Sequence, residues 1–455
     1  MTSLRCSVVL LAALCALPGV GCSAEESGGG GRGGGGRGGS GGGAATSGSA
    51  GSAGSFGNSM ATPSGPTGPA EPFDPMHCVP RGDNGDADGD GFTPATGDCE
   101  DCSPQIGPAA FDFPGNSVDE DCRNGDAPLT DVECDSGIAI DTMEAMDGAR
   151  AIGLCKTTTE DSGEWGVISA TWVQADGTPM LPNPAQKGVL PNFGSMITPH
   201  QGASMLGLSS GSARATDQPG YTPECDNYTA LGPPAATGGM YKAPEGYPKE
   251  SPACPGVISG AVFDPAGLEL RIRVPSNASS FHFESNFLTY EYPQYICTPY
   301  NDFFVALLDP KPPELPDANI AFDQDMNPIS VNNSLLQVCD PGTYGGKMFT
   351  CPLGAGMLTG TSFDGGAPCA GAIPKEFTDL FGMIFPIPLP PAPTTKNAAT
   401  GWLMTSAPSE AGTIITLRFA IWDSGDGILD SVVLIDKFEW SPDKPEIKTV
   451  PVVVL

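Results

Sequence analysis

The densest chemistry in this sequence is the run Asp86-Ala87-Asp88-Gly89-Asp90-Gly91-Phe92, with carboxylates at loop positions 1, 3 and 5, a glycine at 6 and a main-chain carbonyl at 7. A hard cation such as calcium takes about six to eight oxygens at roughly 2.3–2.6 Å, and this order of donors wraps them round one point. Asp98 or Asp101 would close the shell. Position 12, where an EF-hand carries Glu, is Gly97, so helix-loop-helix geometry is not expected. Between positions 81 and 148 there are eighteen Asp and Glu, opposed only by Arg81 and Arg123. Like charges this dense repel and open a chain unless cations or covalent bonds hold it. The competing reading is a solvated acidic loop that holds no ion.

Other residues could do chemistry. Asp423-Ser424-Gly425-Asp426-Gly427 and Asp430 crowd carboxylates between two strand-like runs. Asp423, Asp426 and Asp430 could form a second calcium site, but an ordinary hairpin turn uses the same Asp and Gly residues. Trp402, Trp422 and Trp440 could stack on sugar rings or fill a core. Gly207-Leu208-Ser209-Ser210-Gly211 satisfies G-x-S-x-G, with Asp226, Asp264 and then His282 downstream. A nucleophile elbow needs a strand-turn-helix in an α/β sheet, which this chain does not suggest. Cys99-Glu100-Asp101-Cys102 admits a zinc reading, yet no second such pair accompanies it.

The elements that must position these residues begin after a leader. Arg5 and the apolar stretch Val8 to Leu17 read as an export signal, too short to span a bilayer. Gly19-Val20-Gly21-Cys22 resembles a bacterial lipobox, which implies lipid on Cys22, and Ser23 after it suits outer-membrane sorting; a simple secretory cleavage fits the same residues. Residues 1–22 are thus a lipoprotein signal peptide. Residues 23–75, rich in Gly, Ser and Pro, cannot repay their ordering entropy and read as a disordered linker, with a reach of about 40 Å if its roughly fifty residues behave as a flexible coil.

Residues 76–133 form an acidic, cysteine-bearing block with few aromatics, and residues 134–455 a strand-rich domain. Asp141 is placed to cap one short helix whose apolar face is Met143, Met146, Ala149 and Ile152, ending near Gly153. Leu268 to Val274 alternates apolar and charged residues with period two. Phe303 to Leu308, Ile414 to Trp422 and Val432 to Trp440 are β-branched and aromatic. The expected fold is all-β, a jelly-roll-like sandwich with one short helix at its start.

Of the fifteen cysteines, setting aside Cys6, Cys15 and Cys22 leaves twelve, an even number that suits disulfides in an oxidising compartment. Proximity along the chain pairs Cys99 with Cys122, Cys134 with Cys155, Cys225 with Cys254 and Cys351 with Cys369, although spacing does not determine connectivity.

The stretch DADGDGFTPATGDCEDC followed by VDEDCRNG resembles the bacterial metal-binding motif of the MopE type and looks like calcium-binding thrombospondin type 3 repeats. The resemblance implies Asp86, Asp88, Asp90, Asp98, Asp119 and Asp121 as ligands. Copper is associated with the first name, but oxygen donors suit calcium better, and His77 is the one imidazole nearby. From about Asp135 to Trp440 the chain resembles the choice-of-anchor L domain of exported bacterial proteins. The match runs through AIGLC, MLGLSSG, Asn301-Asp302 and TLRFAIWDSGDGILDSVVLIDKFEW. The resemblance implies display outside the cell and carries no activity.

The formal net charge of −32 argues against nucleic acid, whose phosphates need Lys and Arg. The leading expectation is a cell-surface lipoprotein, outer-membrane-anchored or secreted, that binds calcium and acts as an adhesion module toward polysaccharide or protein, with no small-molecule substrate and no catalysis evident. An envelope hydrolase acting on glycans or esters and a purely structural envelope protein are the alternatives.

Overall fold

Strands dominate because the period-two runs each have one apolar face to bury. In the computed structural model, which describes residues 78–129, 133–222, 241–364, 397–425, 427 and 429–452, Leu268, Leu270 and Ile272 are buried while Glu269, Arg271 and Arg273 are half-buried. Cys22, the 23–75 linker, His77, Cys225, Asp226, Cys369 and Asp426 lie outside the described residues.

Two antiparallel sheets face each other. The smaller has strand order β1-β4-β11-β6, with β1 at Gly166–Val173, β4 at Val262–Arg273, β6 at Phe303–Asp309 and β11 at Ile414–Ser424. The larger has order β13-β10-β5-β12-β3-β2. Its strands are β2 (Lys187–Leu190), β3 (Met205–Ser209), β5 (Ser280–Thr289), β10 (Leu403–Pro408), β12 (Ser431–Ser441) and β13 (Lys448–Pro451), and the short β9 (Ala398–Ala399) pairs with β5. The chain crosses between sheets from β4 to β5 to β6 and again from β10 to β11 to β12, as a jelly-roll-like sandwich requires. A separate hairpin joins β7 (Gly342–Tyr344) to β8 (Lys347–Phe349).

The core fills the space between the sheets. Leu268, Leu270 and Ile272 of β4 and Leu417, Phe419 and Ile421 of β11 meet Phe281, Phe283 and Phe287 of β5 and Val433 and Ile435 of β12. Phe283 packs edge-on against Phe419 with ring centroids 5.0 Å apart, one contact that spans both layers. Trp422 is fully buried on the outer face of the small sheet, with Phe303 and Tyr247 around it. It is a packing residue and not a sugar platform.

The helix is shorter than expected. Only Ala145–Arg150 is helical; Glu144, not Asp141, sits at the N-cap position and makes no side-chain cap. The preceding residues are used elsewhere: Met143 O accepts from Trp172 Nε1 at 3.0 Å, and Thr142 O accepts from Lys187 Nζ. Those bonds hold the chain extended where a first helical turn would have formed. Thr142 Oγ1 donates to Asp147 Oδ2 at 2.6 Å, and Arg150 pairs with Asp147 at 2.7 Å.

Five disulfides lie among the described residues. Cys99–Cys122 and Cys134–Cys155 join the neighbours that proximity suggests, and Cys78–Cys102 adds a second bond inside the acidic block. The expected Cys225–Cys254 and Cys351–Cys369 pairs are not formed: Cys254 bonds Cys297, and Cys351 bonds Cys339. The reason is tertiary. Cys339 and Cys351 flank the β7–β8 hairpin and close its base, while the connection from β5 to β6 carries Cys297 back against the segment that leads into β4.

The acidic block and the sandwich belong to one unit, Glu71–Leu455. Asn277 exchanges two hydrogen bonds with the Phe111 main chain, both 2.8 Å, and Ser276 N donates to Ala109 O at 2.9 Å. Phe111 then packs edge-on against Trp165 at 5.3 Å, and Arg123 pairs with Glu164 at 3.0 Å.

Candidate functional site

The acidic loop is shaped by its own main chain. Gly89 and Gly91 take φ of +83° and +95°, a left-handed backbone that a side chain would strain, and each donates its N–H to Asp86, at 2.6 and 3.2 Å. Asp90 N donates to Asp88 Oδ1 at 3.1 Å, and Phe92 N to Asp90 Oδ1 at 2.7 Å. Each of these aspartates therefore uses oxygens to fold the loop. The second oxygens of Asp88, Asp90 and Asp98 are buried with no hydrogen-bond partner in the structure. Leaving a buried acceptor unmade costs about 1–3 kcal/mol, more for a charged group.

Asp86, Asp88 and Asp90 each offer one oxygen within 4.8 Å of the others. Asp98 lies outside that group of three but flanks Gly107 together with Asp90, where an added Cβ would lie 2.7 Å from Asp90 Oδ2 and 3.8 Å from Asp98 Oδ1. Asp101 has a different role: its oxygens accept the N–H groups of Ala87 at 2.9 Å and Arg81 at 3.1 Å, so it braces the loop from outside. Burial pushes Asp90 up to about 6, and burial together with neighbouring carboxylates raises Asp88 and Asp98. Cys99 and Cys102 are both in disulfides, which removes them as thiolate ligands for zinc.

Asp119 and Asp121 do not complete that ring. They group with Asp112, again within 4.8 Å, as a second cluster. Asp119 accepts Arg123 N at 2.8 Å and Gly125 N at 3.0 Å, and Asp121 accepts Arg123 N at 2.9 Å. Asp112 keeps a buried oxygen without a partner, and burial beside Glu120 pushes its carboxyl up to about 6. No motif singles out Asp112, which lies between two phenylalanines; only folding brings it to Asp119 and Asp121.

This second cluster borders a cleft of about 430 Å³ at the junction of the acidic block and the sandwich. Asp112 and Asp121 line it together with Phe111, Trp165, Gln201 and Trp440. The indole N–H groups of Trp165 and Trp440 and the Gln201 side-chain oxygen are buried without hydrogen-bond partners. Aromatic walls with a few convergent polar atoms are the usual make-up of a ligand site. Trp402 lines a different cleft and lies over His200, ring centroids 4.6 Å apart. There His200 Nδ1 meets Glu284 Oε2 at 2.5 Å, and Asp436, directly opposite Glu284 on the neighbouring strand, accepts His200 N at 2.5 Å. Burial pushes Asp436 up to about 7. The sequence offers no motif for this group.

Asp423 and Asp430 are not both loop residues. Asp423 is the penultimate residue of β11, and Asp430 directly precedes β12. Burial, then the surrounding carboxylates, raises Asp423 well above the usual range, and burial beside Asp264 pushes Asp430 up to about 7.

Ser209 and His282 of the hydrolase pattern do not meet, and Asp226 lies outside the described residues. Ser209 is fully buried on β3, donating to Ser431 O at 2.9 Å, and sits opposite Val432. His282 on β5 lies opposite Glu439, to which it pairs at 2.7 Å. Seven residues of β12 separate those two positions, roughly 23 Å at 3.3 Å per residue.

The chain was compared with protein-family models, curated proteins and solved structures, and none matches it. No helix among the described residues is long and apolar enough to cross a membrane.

Proposed function

We propose that this chain is an exported surface lipoprotein, anchored through Cys22, whose calcium-loaded acidic block and β-sandwich together form a binding site for a polyhydroxylated ligand such as an extracellular polysaccharide. One observation carries the reading: the carboxylates of Asp112 and Asp121 border the same cleft as Trp165 and Trp440. A cation held there would present open coordination positions to sugar hydroxyls, and the half-buried Trp165 indole would cover the apolar side of the ring, with Trp440 packed in the core behind it. Oxygen donors without imidazole or thiolate favour calcium over copper or zinc. The resemblances to MopE-type and choice-of-anchor L sequences agree with this reading, as do the disulfides, which form in oxidising compartments.

The test is binding of the whole chain to a polysaccharide panel, with calcium and with chelator. Binding should require calcium and fall at least tenfold in Asp112→Asn with Asp121→Asn, while Met348→Ala, exposed on the β7–β8 hairpin and absent from the cleft wall, leaves it unchanged. Binding that persists in chelator would overturn the cation's role. Absence of binding to every member of the panel would leave a structural envelope protein as the better account.

A further inference from the structure

The sandwich contains a second concentration of carboxylates that the acidic block does not touch. The last cross-strand pair between β11 and β6 is Trp422 with Phe303, so the next step in register sets Asp423 opposite Asp302. Both point between the sheets. Asp423 is two residues from Ile421, and Asp302 two from Phe304, and both of those apolar residues belong to the inter-sheet core. Ser431 of the facing sheet confirms the direction by donating Oγ to Asp302 Oδ2 at 2.7 Å.

Like charges placed directly opposite on neighbouring strands are destabilising, and burial makes the cost larger. Asp302 and Asp423 are each 2 % exposed. Neither oxygen of Asp423 has a hydrogen-bond donor among the described residues; what lies within reach is the carboxyl groups of Asp302 and Asp430. The side-chain oxygen of Asn301, one residue from Asp302, is also buried without a partner. Asp264 approaches from β4. Two residues of that strand, Asp264 and Pro265, oppose the single Trp422, a β-bulge of the kind that redirects a side chain. No Lys or Arg among the described residues pairs with Asp302 or Asp423.

We infer that a calcium ion binds between the two sheets, held by Asp302 and Asp423, with Asp264 and Asp430 completing an all-oxygen set. The donors come from β4, β11 and the approaches to β6 and β12, so the ion ties the two layers together at the end of the core where apolar side chains stop. Imidazole and thiolate are absent from the set, and carboxylate oxygens select a hard cation. This site does not depend on the acidic block or on the proposed ligand cleft.

Two measurements on the whole chain test it. Calcium titration calorimetry on wild type and on Asp423→Asn should show the variant losing one equivalent of bound calcium. A variant with Asp86, Asp88 and Asp90 all changed to Asn should keep that equivalent. Hydrogen exchange of the wild type, read at Phe303 and Val432, should slow at least tenfold in calcium relative to chelator, and does not require the variant to fold. Unchanged exchange at those amides, or unchanged calcium stoichiometry in a folded Asp423→Asn, would overturn the site and assign the carboxyls to shared protons. If the loop variant alone behaves like wild type, the acidic-block reading fails and this one stands.

Discussion

The acidic block and the sandwich are stabilised by different means, although they share one unit. Within 78–129 the fully buried apolar residues are few, Ala109 and Ala110 among them, and order comes from two disulfides and from carboxylates that accept main-chain N–H groups. The sandwich has a continuous apolar core from both sheets. A region that cannot bury enough apolar surface relies on covalent bonds and local hydrogen bonds, and its shape then depends on redox state. No cysteine among the described residues belongs to the apolar core between the two sheets.

The largest effect expected from separating the two is in the core. Phe419→Ala removes the ring that packs on Phe283, and should cost about 3–5 kcal/mol in urea unfolding, with the block losing its docking surface as the sandwich fails. Next comes the block. Replacing Cys99 and Cys122 together by Ser opens a loop with a sequence separation of 23, which should cost the block about 3 kcal/mol. Limited proteolysis should then cut near 100–122, while the near-ultraviolet circular dichroism of the buried tryptophans stays native. Equal loss of both signals would mean that block and sandwich unfold as one.

The smallest effect concerns pH. Asp436 is buried, and its carboxyl is pushed up to about 7, so the folded state holds a proton that the unfolded state releases near pH 4. The stability this contributes is fully present below the unfolded value and is lost as pH rises through about 7. Wild type should therefore lose stability steadily between pH 4 and 7 relative to Asp436→Asn, read as the difference in urea midpoints. Parallel profiles for the two proteins would show that the main-chain donors of His200 and Lys437 keep the carboxylate charged.

Much of the sandwich is legible in the sequence because a strand with one buried face writes its period directly. Leu268 to Val274, Phe303 to Leu308, Ile414 to Trp422 and Val432 to Trp440 each fall on β4, β6, β11 or β12. The Asp86-Asp88-Asp90 loop is legible for a similar reason, since its donors are local. What remains hidden is whatever needs strands from distant parts of the chain to meet. Asp112 joins Asp119 and Asp121 through the fold of the block, Asp302 meets Asp423 through β6–β11 pairing, and Cys254, before β4, finds Cys297, after β5, once those strands have entered their separate sheets. The helix was shortened by Trp172 and Lys187, two residues that helix periodicity does not consult.

The place of β11 and β12 in the chain has a kinetic consequence. Each is an interior strand of its sheet, β11 between β4 and β6, and β12 between β5 and β3, yet every strand except β13 precedes them. During synthesis neither layer can close until Ile414–Ser441 has been made, because earlier strands lack their central partner. Pairing over such separations is slow, so each sheet gains its central partner only after the late strands arrive.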